Sequence, residues 1–504
     1  MRRVTAGLAV LLVGTSVAAA CSSEGDGTGE APESGETAAP AVDRPDGPAA
    51  VLAPLDGGRG VFLGTSGTGP ALEDAGYDEA EYSASGTAAA YTSEGPLPAD
   101  GTYELAPGDE ADYATRIIVR RPADADDFNG TVVVEWLNVS GGVDAAPDHT
   151  YLADEVLRGG YAWVGVSAQR IGVEGGTIAV EAPGAEEAGA GRGLRGIDPD
   201  RYGDLSHPGD AFSYDIYTQV ARALRAPGEV DPLEGLEVER LLAVGESQSA
   251  FTLTTYVNGV QPLARQYDGF LIHSRGGAAA PLGEPGAGIE IASTIGGEPT
   301  TIRTDGDAPV IVVETETDVL GVLGYLPARQ PDDERFRLWE VAGTAHADKF
   351  QLGDREDALG CAHPINRGQQ VYVLRAALRH LDTWAATGTA PAEAPRLEVD
   401  DGGAAPTFVV DEVGNVTGGV RTPAVEAPLD VLSGQAPEGS SILCLLMGST
   451  TPVDGRQLAQ LYDSPDDYLA AYERATDEMI GGGFALADDR EQILAEADPD
   501  RIAG

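Results

Sequence analysis

Positive charge is what this chain has least of. Lys349 is the single lysine in 504 residues, and Lys plus Arg total 32 against 82 Asp plus Glu, a formal net charge of −50. A nucleic-acid binder needs a basic face to neutralise phosphates, and charge-driven attachment to anionic lipid needs a basic cluster, so this composition excludes both. No H-E-x-x-H, no C-x-x-C, no EF-hand spacing and no G-x-G-x-x-G between a strand and a helix occurs, so neither a metal nor a cofactor is expected. No internal repeat of roughly 20–50 residues is present, which removes solenoids and propellers. What remains is a globular composition, 42% hydrophobic and 23% charged. An acidic, lysine-poor surface resembles proteins of salt-rich surroundings, where ions screen self-repulsion; the amino-acid bias of a GC-rich genome accounts for it equally well.

The first residues read as an address. Met1-Arg2-Arg3 is a short positive start, and Ala6–Ala20 is small and apolar, short of the about 20 residues of a membrane span. Small residues directly before Cys21 resemble a bacterial lipoprotein signal, which implies that residues 1–20 are removed and Cys21 is lipidated. Residues 21–48 are rich in Gly, Ser, Pro, Glu and Thr and cannot bury enough surface to offset their ordering entropy. They are expected to tether a folded body, residues 49–504, outside the cytoplasm with the lipid as its only membrane contact. The two remaining cysteines, Cys361 and Cys444, can then pair in only one way.

The body alternates strands and helices. Ala114–Val119, Thr131–Leu137, Tyr161–Ser167, Leu241–Val244, Asp268–His273, Pro309–Val313 and Phe336–Val341 are strand candidates, most of them continuous apolar runs of the kind buried on both faces. Helical spacing recurs at Asp148–Leu157, Asp210–Leu224, Ser249 onward and Gln369–Ala386. The fold class is therefore α/β, a mainly parallel central sheet with helices on both faces and functional loops at the carboxyl ends of the strands. Segments 173–208 and 276–305 fit neither period and read as rim insertions, either loops or a lid.

The informative stretch is Leu241 to Ala250, where an apolar strand runs into Gly245-Glu246-Ser247-Gln248-Ser249 and a helix follows. This is close to the G-x-S-x-G nucleophile elbow, with Ser247 at its apex and Ser249 in place of the second glycine. A serine needs a base. Of the six histidines, His346 follows the last sheet strand through a small-residue loop, where this architecture puts its general base. His149 and His207 precede the elbow, His273 ends a strand, His363 sits beside Cys361, and His380 reads as a surface position. Pro309–Val313 runs into Glu314-Thr315-Glu316-Thr317-Asp318, which offers Asp318, or second to it Glu316, to orient the imidazole. The order Ser…Asp…His is that of α/β-hydrolases. An oxyanion hole would use the N–H of Gln248 and one from the loop Asn138-Val139-Ser140-Gly141-Gly142, with Asn138 or Val139 as the donor.

These segments together, VVVEWLNVSGG (132–142), GESQSA (245–250), VETETDVLG (313–321), RFRLWEVAGTAHAD (335–348) and GNVTGGVRTP (414–423), resemble the bacterial secreted α/β-hydrolase-domain proteins over about residues 50–500. The resemblance implies an α/β-hydrolase fold with Ser247 as nucleophile and His346 as base, and leaves the acid and the substrate open. The stretch 389–504 exceeds a minimal hydrolase and is expected to decorate the core. The function expected is an exported serine hydrolase acting on a small-molecule carboxylic ester. A non-catalytic surface lipoprotein on the same fold, and an amidase or peptidase using the same residues, are the alternatives.

Overall fold

The computed structural model describes residues 43–64, 70–437 and 439–502. The expected signal 1–20, Cys21 and the tether up to residue 42 lie outside the described residues. Nine strands form one sheet: β1 (Val51–Pro54), β2 (Tyr77–Thr92), β3 (Ala106–Pro122), β4 (Thr131–Trp136), β5 (Ala162–Val166), β6 (Arg240–Glu246), β7 (Gly269–His273), β8 (Val310–Thr315) and β9 (Phe336–Val341). Their spatial order is β1-β2-β3-β5-β4-β6-β7-β8-β9. The first three pair antiparallel with each other and β3 with β5, while β5, β4 and β6 to β9 run parallel.

Burial explains why the parallel strands are apolar throughout. Every residue of β4, β5, β7, β8 and β9 is buried. Helices α1 (Pro147–Arg158), α2 (Ser213–Arg225), α3 (Gln248–Thr255), α4 (Gln370–Thr387) and α5 (Pro465–Gly481) supply the covering layers. Val132, Val134, Ala243 and Val312 point toward α2 and α3, in a core with Tyr217, Val220 and Leu253. Val133, Leu242, Val244 and Val313 face the opposite layer, with Tyr151 and Val156 of α1 and Leu374 and Leu378 of α4.

Two strands escape the sequence reading, and a third is longer than expected. β1 and β2 were not anticipated, and β3 begins eight residues before Ala114. The reason is their setting in an antiparallel, half-solvated hairpin. β2 reads YDEAEYSASGTAAAYT, with small side chains and no apolar run, and the added end of β3 is acidic and exposed.

Strand order reverses at β4. The chain moves from β4 outward to β5, then returns to place β6 on the other side of β4. Crevices at such reversals, beyond the strands' carboxyl ends, are where open α/β sheets hold ligands. The loop after β4 and the turn after β6 meet there.

Residues 389–502 close the far edge. Val420 donates to the Glu340 carbonyl (2.7 Å) and accepts from the Ala342 N–H (3.0 Å), pairing with the end of β9, and Phe484 packs edge-on to Trp339 with ring centroids 5.1 Å apart. An otherwise open strand edge is thereby covered. Both rim insertions are irregular with short helical turns, Gly193–Ile197 and Pro199–Tyr202 in the first and Ile291–Ser293 in the second. Cys361 and Cys444 are disulfide-bonded.

Candidate active site

β6 ends at Glu246 and α3 begins at Gln248, so one residue makes the whole turn. Ser247 makes it at φ 59°, ψ −119°, a strained conformation for a residue with a side chain. Its N–H is anchored to the His273 carbonyl at the end of β7 (3.0 Å). The turn folds α3 back onto the strand so closely that a Cβ on Gly245 would meet Leu253 Cδ1 at 2.8 Å and Ser249 Cβ at 3.0 Å. Glycine at 245 and a small residue at 249 are the steric conditions of the turn.

His346 lies on the loop after β9. Its Nε2 is 2.9 Å from Ser247 Oγ and its Nδ1 is 2.7 Å from Asp318 Oδ1. Asp318 sits in the helical turn Glu316–Leu320, where it closes a capping box with Thr315. Its Oδ2 accepts from the Thr315 N–H (2.7 Å), Thr315 Oγ1 (2.6 Å) and Ser274 Oγ (2.8 Å). Burial would raise the Asp318 carboxyl, but the His346 charge and these hydrogen bonds win and hold it below the usual carboxylate range. Burial likewise opposes charge on His346, and the Asp318 and Glu246 carboxylates outweigh it, lifting the imidazole above its ordinary value.

Glu316 does a different job. Its carboxylate accepts the Gly343 N–H (2.6 Å) and the Gly434 N–H (2.8 Å), tying the histidine loop to the C-terminal region.

One expected donor needs correction. The Asn138 N–H is spent on the Ala145 carbonyl (2.9 Å), in a bridge that closes the loop after β4, so it does not face the site as an oxyanion donor. The Val139 N–H points instead at the Gln248 side-chain oxygen (3.1 Å). The Gln248 N–H, first of α3, has no carbonyl a turn earlier to bond. Asn138 contributes its side chain, donating to the Glu246 carbonyl (3.0 Å).

Among the described residues no other histidine ring is hydrogen-bonded to Ser247 Oγ. His149 contacts Arg120 (3.2 Å), His207 bonds the Ala168 carbonyl (2.9 Å) and His273 pairs with Asp148 (3.0 Å). His380, read as a surface position, is half-buried and bonded to the Gly483 carbonyl (2.9 Å). Sequence reasoning passed over Thr315 and Ser274, which hold the acid, and Glu246. The only signal for Glu246 was a charge at the end of an apolar strand.

Buried carboxyls give the fold an unusual pH response. Burial pushes Glu246 and Glu316 each up to about 7. From pH 8 to 6 the folded chain takes up protons there that an unfolded carboxyl, titrating near ~4, does not. Stability is therefore lost as pH rises through 7 and regained on acidification, by about 1 kcal/mol per group over that window. Burial depresses His149 and His207, which take up protons on unfolding in acid, so below about pH 6 they offset the continuing gain from the carboxyls and the rise flattens. Thermal melts at pH 6, 7 and 8 check this, with the midpoint expected to fall at each step toward pH 8.

A family model described as alpha/beta hydrolase domain matches residues 51–495. The chain belongs to the alpha/beta hydrolase domain family. Its match takes in the whole sheet, the rim insertions and most of the C-terminal region. Among solved structures, an α/β serine hydrolase without a lid from Xanthomonas campestris is 13% identical (51% of this chain, 83% of that one, TM-score 0.26). Est1E from Butyrivibrio proteoclasticus is 9% identical (54% and 95%, TM-score 0.30), and a glucuronoyl esterase from Solibacter usitatus is 9% identical (60% and 83%, TM-score 0.26). At these values the likenesses support no residue-level inference. No protein of curated function matches.

Proposed function

We propose that this alpha/beta hydrolase cleaves carboxylic esters through an acyl-enzyme, with Ser247 as nucleophile, His346 as general base and acid, and Asp318 as the group that orients the imidazole. The carrying observation is the unbroken hydrogen-bonded chain Ser247 Oγ–His346 Nε2, His346 Nδ1–Asp318 Oδ1. With its Nδ1 proton held by Asp318, neutral His346 turns the Nε2 lone pair to the serine hydroxyl. Ser247 attacks the ester carbonyl, its proton passes to Nε2 and then to the leaving alkoxide, and water repeats the cycle on the acyl-serine. The Gln248 N–H would meet the developing oxyanion, joined by the Val139 N–H once the Gln248 side chain turns aside.

Export and a lipid anchor at Cys21 belong to the same proposal, supported by the Cys361–Cys444 disulfide, which suits an oxidising compartment.

The test is a fluorophosphonate probe on the chain lacking residues 1–21. A mapped adduct on Ser247, lost in Ser247→Ala, supports the reading. A folded protein that takes no adduct at low or high salt would sink it in favour of a binding role. Faster cleavage of p-nitroanilides than of p-nitrophenyl esters would replace ester with amide.

A further inference from the structure

Glu246 occupies an expensive position. It is the last residue of β6, 4% exposed, at the end of a strand whose other inward side chains are apolar. Burying a carboxyl there costs more than burying a hydrocarbon of the same volume. Its Oε1 lies 3.5 Å from His346 Nε2, the nitrogen that faces Ser247 Oγ, so two carboxylates bracket one imidazole, Asp318 at Nδ1 and Glu246 at Nε2. Asn138 fixes the approach from the other side, its Nδ2 donating to the Glu246 carbonyl (3.0 Å) and reaching Oε2 (3.4 Å).

Behind Glu246 stands a second acid–imidazole pair. β6 and β7 run in register with Glu246 opposite His273, which puts their side chains on the same face of the sheet. His273 Nδ1 is 3.0 Å from Asp148 Oδ1, both side chains are fully buried, and His273 Nε2 has no hydrogen-bond partner among the described residues. The groups facing Glu246 are therefore His346 after β9, His273 at the end of β7, Asp318 after β8, and Asp148 and Tyr151 of α1. Tyr151 is in turn bonded to Asp348 (3.1 Å).

The geometry makes this arrangement selective for one state. While His346 is neutral, an ionised Glu246 faces the Nε2 lone pair and gains nothing. Once Nε2 has taken the serine proton, the same carboxylate faces an N–H⁺. Interactions that strengthen only as the proton moves are those that accelerate a reaction.

We propose that Glu246 is a positioning residue for His346, stabilising the imidazolium formed when Ser247 gives up its proton, with the buried His273, held in place by Asp148, as the neighbour that favours its ionised form. This rests on the hydrolase reading above. The serine proton still ends on the leaving alkoxide, and Glu246 neither bonds to substrate nor keeps a proton over a turnover.

The experiment is the pH profile of kcat/KM for p-nitrophenyl acetate in wild type, Glu246→Gln and Glu246→Asp, with fluorophosphonate labelling of each. Removing a negative charge beside His346 makes the imidazole easier to deprotonate. Glu246→Gln should therefore move the acid limb to lower pH by about half a unit or more and lower the plateau roughly tenfold. Glu246→Asp keeps the charge but draws it back, and should place the limb between the two. A merely structural role would lower the melting midpoint and leave the limb where it is. An unmoved limb in Glu246→Gln overturns the proposal; if that variant does not fold, an unmoved limb in Glu246→Asp does. Wild type that neither labels at Ser247 nor cleaves the ester refutes the hydrolase reading instead, so the two failures are distinguishable.

Discussion

Asp318→Asn is expected to lower kcat for ester cleavage about ten-thousandfold while leaving the fold in place. The size of the effect follows from what the carboxylate does with each oxygen. Oδ2 accepts three hydrogen bonds, and one of them, from the Thr315 main-chain N–H, cannot be reversed by rotating a hydroxyl. An asparagine must therefore keep its oxygen on the Thr315 side and turn its NH₂ toward His346. Facing a donor, His346 Nδ1 becomes the unprotonated nitrogen, the proton moves to Nε2, and Nε2 can no longer accept from Ser247. Glu316 provides the contrast. Its oxygens serve the Gly343 and Gly434 N–H groups and no imidazole. Glu316→Gln should cost about 1–3 kcal/mol of stability, one acceptor for two buried donors, with kcat changed only a few-fold. Parallel measurement of kcat and melting midpoint separates them. A large kcat loss in Glu316→Gln with a mild one in Asp318→Asn would reverse the assignment.

What could be read from the sequence follows from where the physics is local. The interior strands are legible because both faces are buried, so TVVVEW and VIVVET carry no competing pattern. The elbow is legible because its steric demands fall within five consecutive residues. β1 and β2 were not, since a half-solvated hairpin of Ala, Ser, Thr and Gly gives no apolar signal. The fate of the Asn138 N–H depends on a bridge to Ala145 that no local pattern announces. Glu246 was hidden for a different reason. In a chain with 82 acidic residues one more Glu is unremarked, and only the register of β6 against β7 and the return of the β9 loop bring it to His346.

The hairpin that the sequence concealed also carries a large stability prediction. Arg116→Leu is expected to destabilise the protein by about 3–5 kcal/mol. Arg116, on β3, is wholly buried, and its guanidinium is fully engaged: Nη1 with Glu81 Oε1 (2.8 Å) and the Phe62 carbonyl (2.7 Å), Nη2 with Asp144 Oδ2 (2.6 Å), Nε with Ser167 Oγ (2.8 Å). Leucine would fill much of the space, so the loss is not mainly one of packing. It comes from stranding charge. Glu81 keeps Arg201 and Tyr202, but Asp144 is left with only the Ser167 hydroxyl on its carboxylate, in a site with no exposure. Arg116→Lys should lose nearly as much, because a single ammonium cannot reach four acceptors set out for a planar fork. The damage should also reach the site. The Asp144 main chain accepts the Gly64 N–H (2.7 Å), and the next residue, Ala145, is the one that pairs with Asn138 and shapes the loop beside Ser247. Denaturant unfolding at pH 7 together with kcat/KM tests both parts. A loss below about 1 kcal/mol, the range of an exposed ion pair, would show that Asp144 finds another partner, and that the antiparallel hairpin is not what fixes the loop after β4.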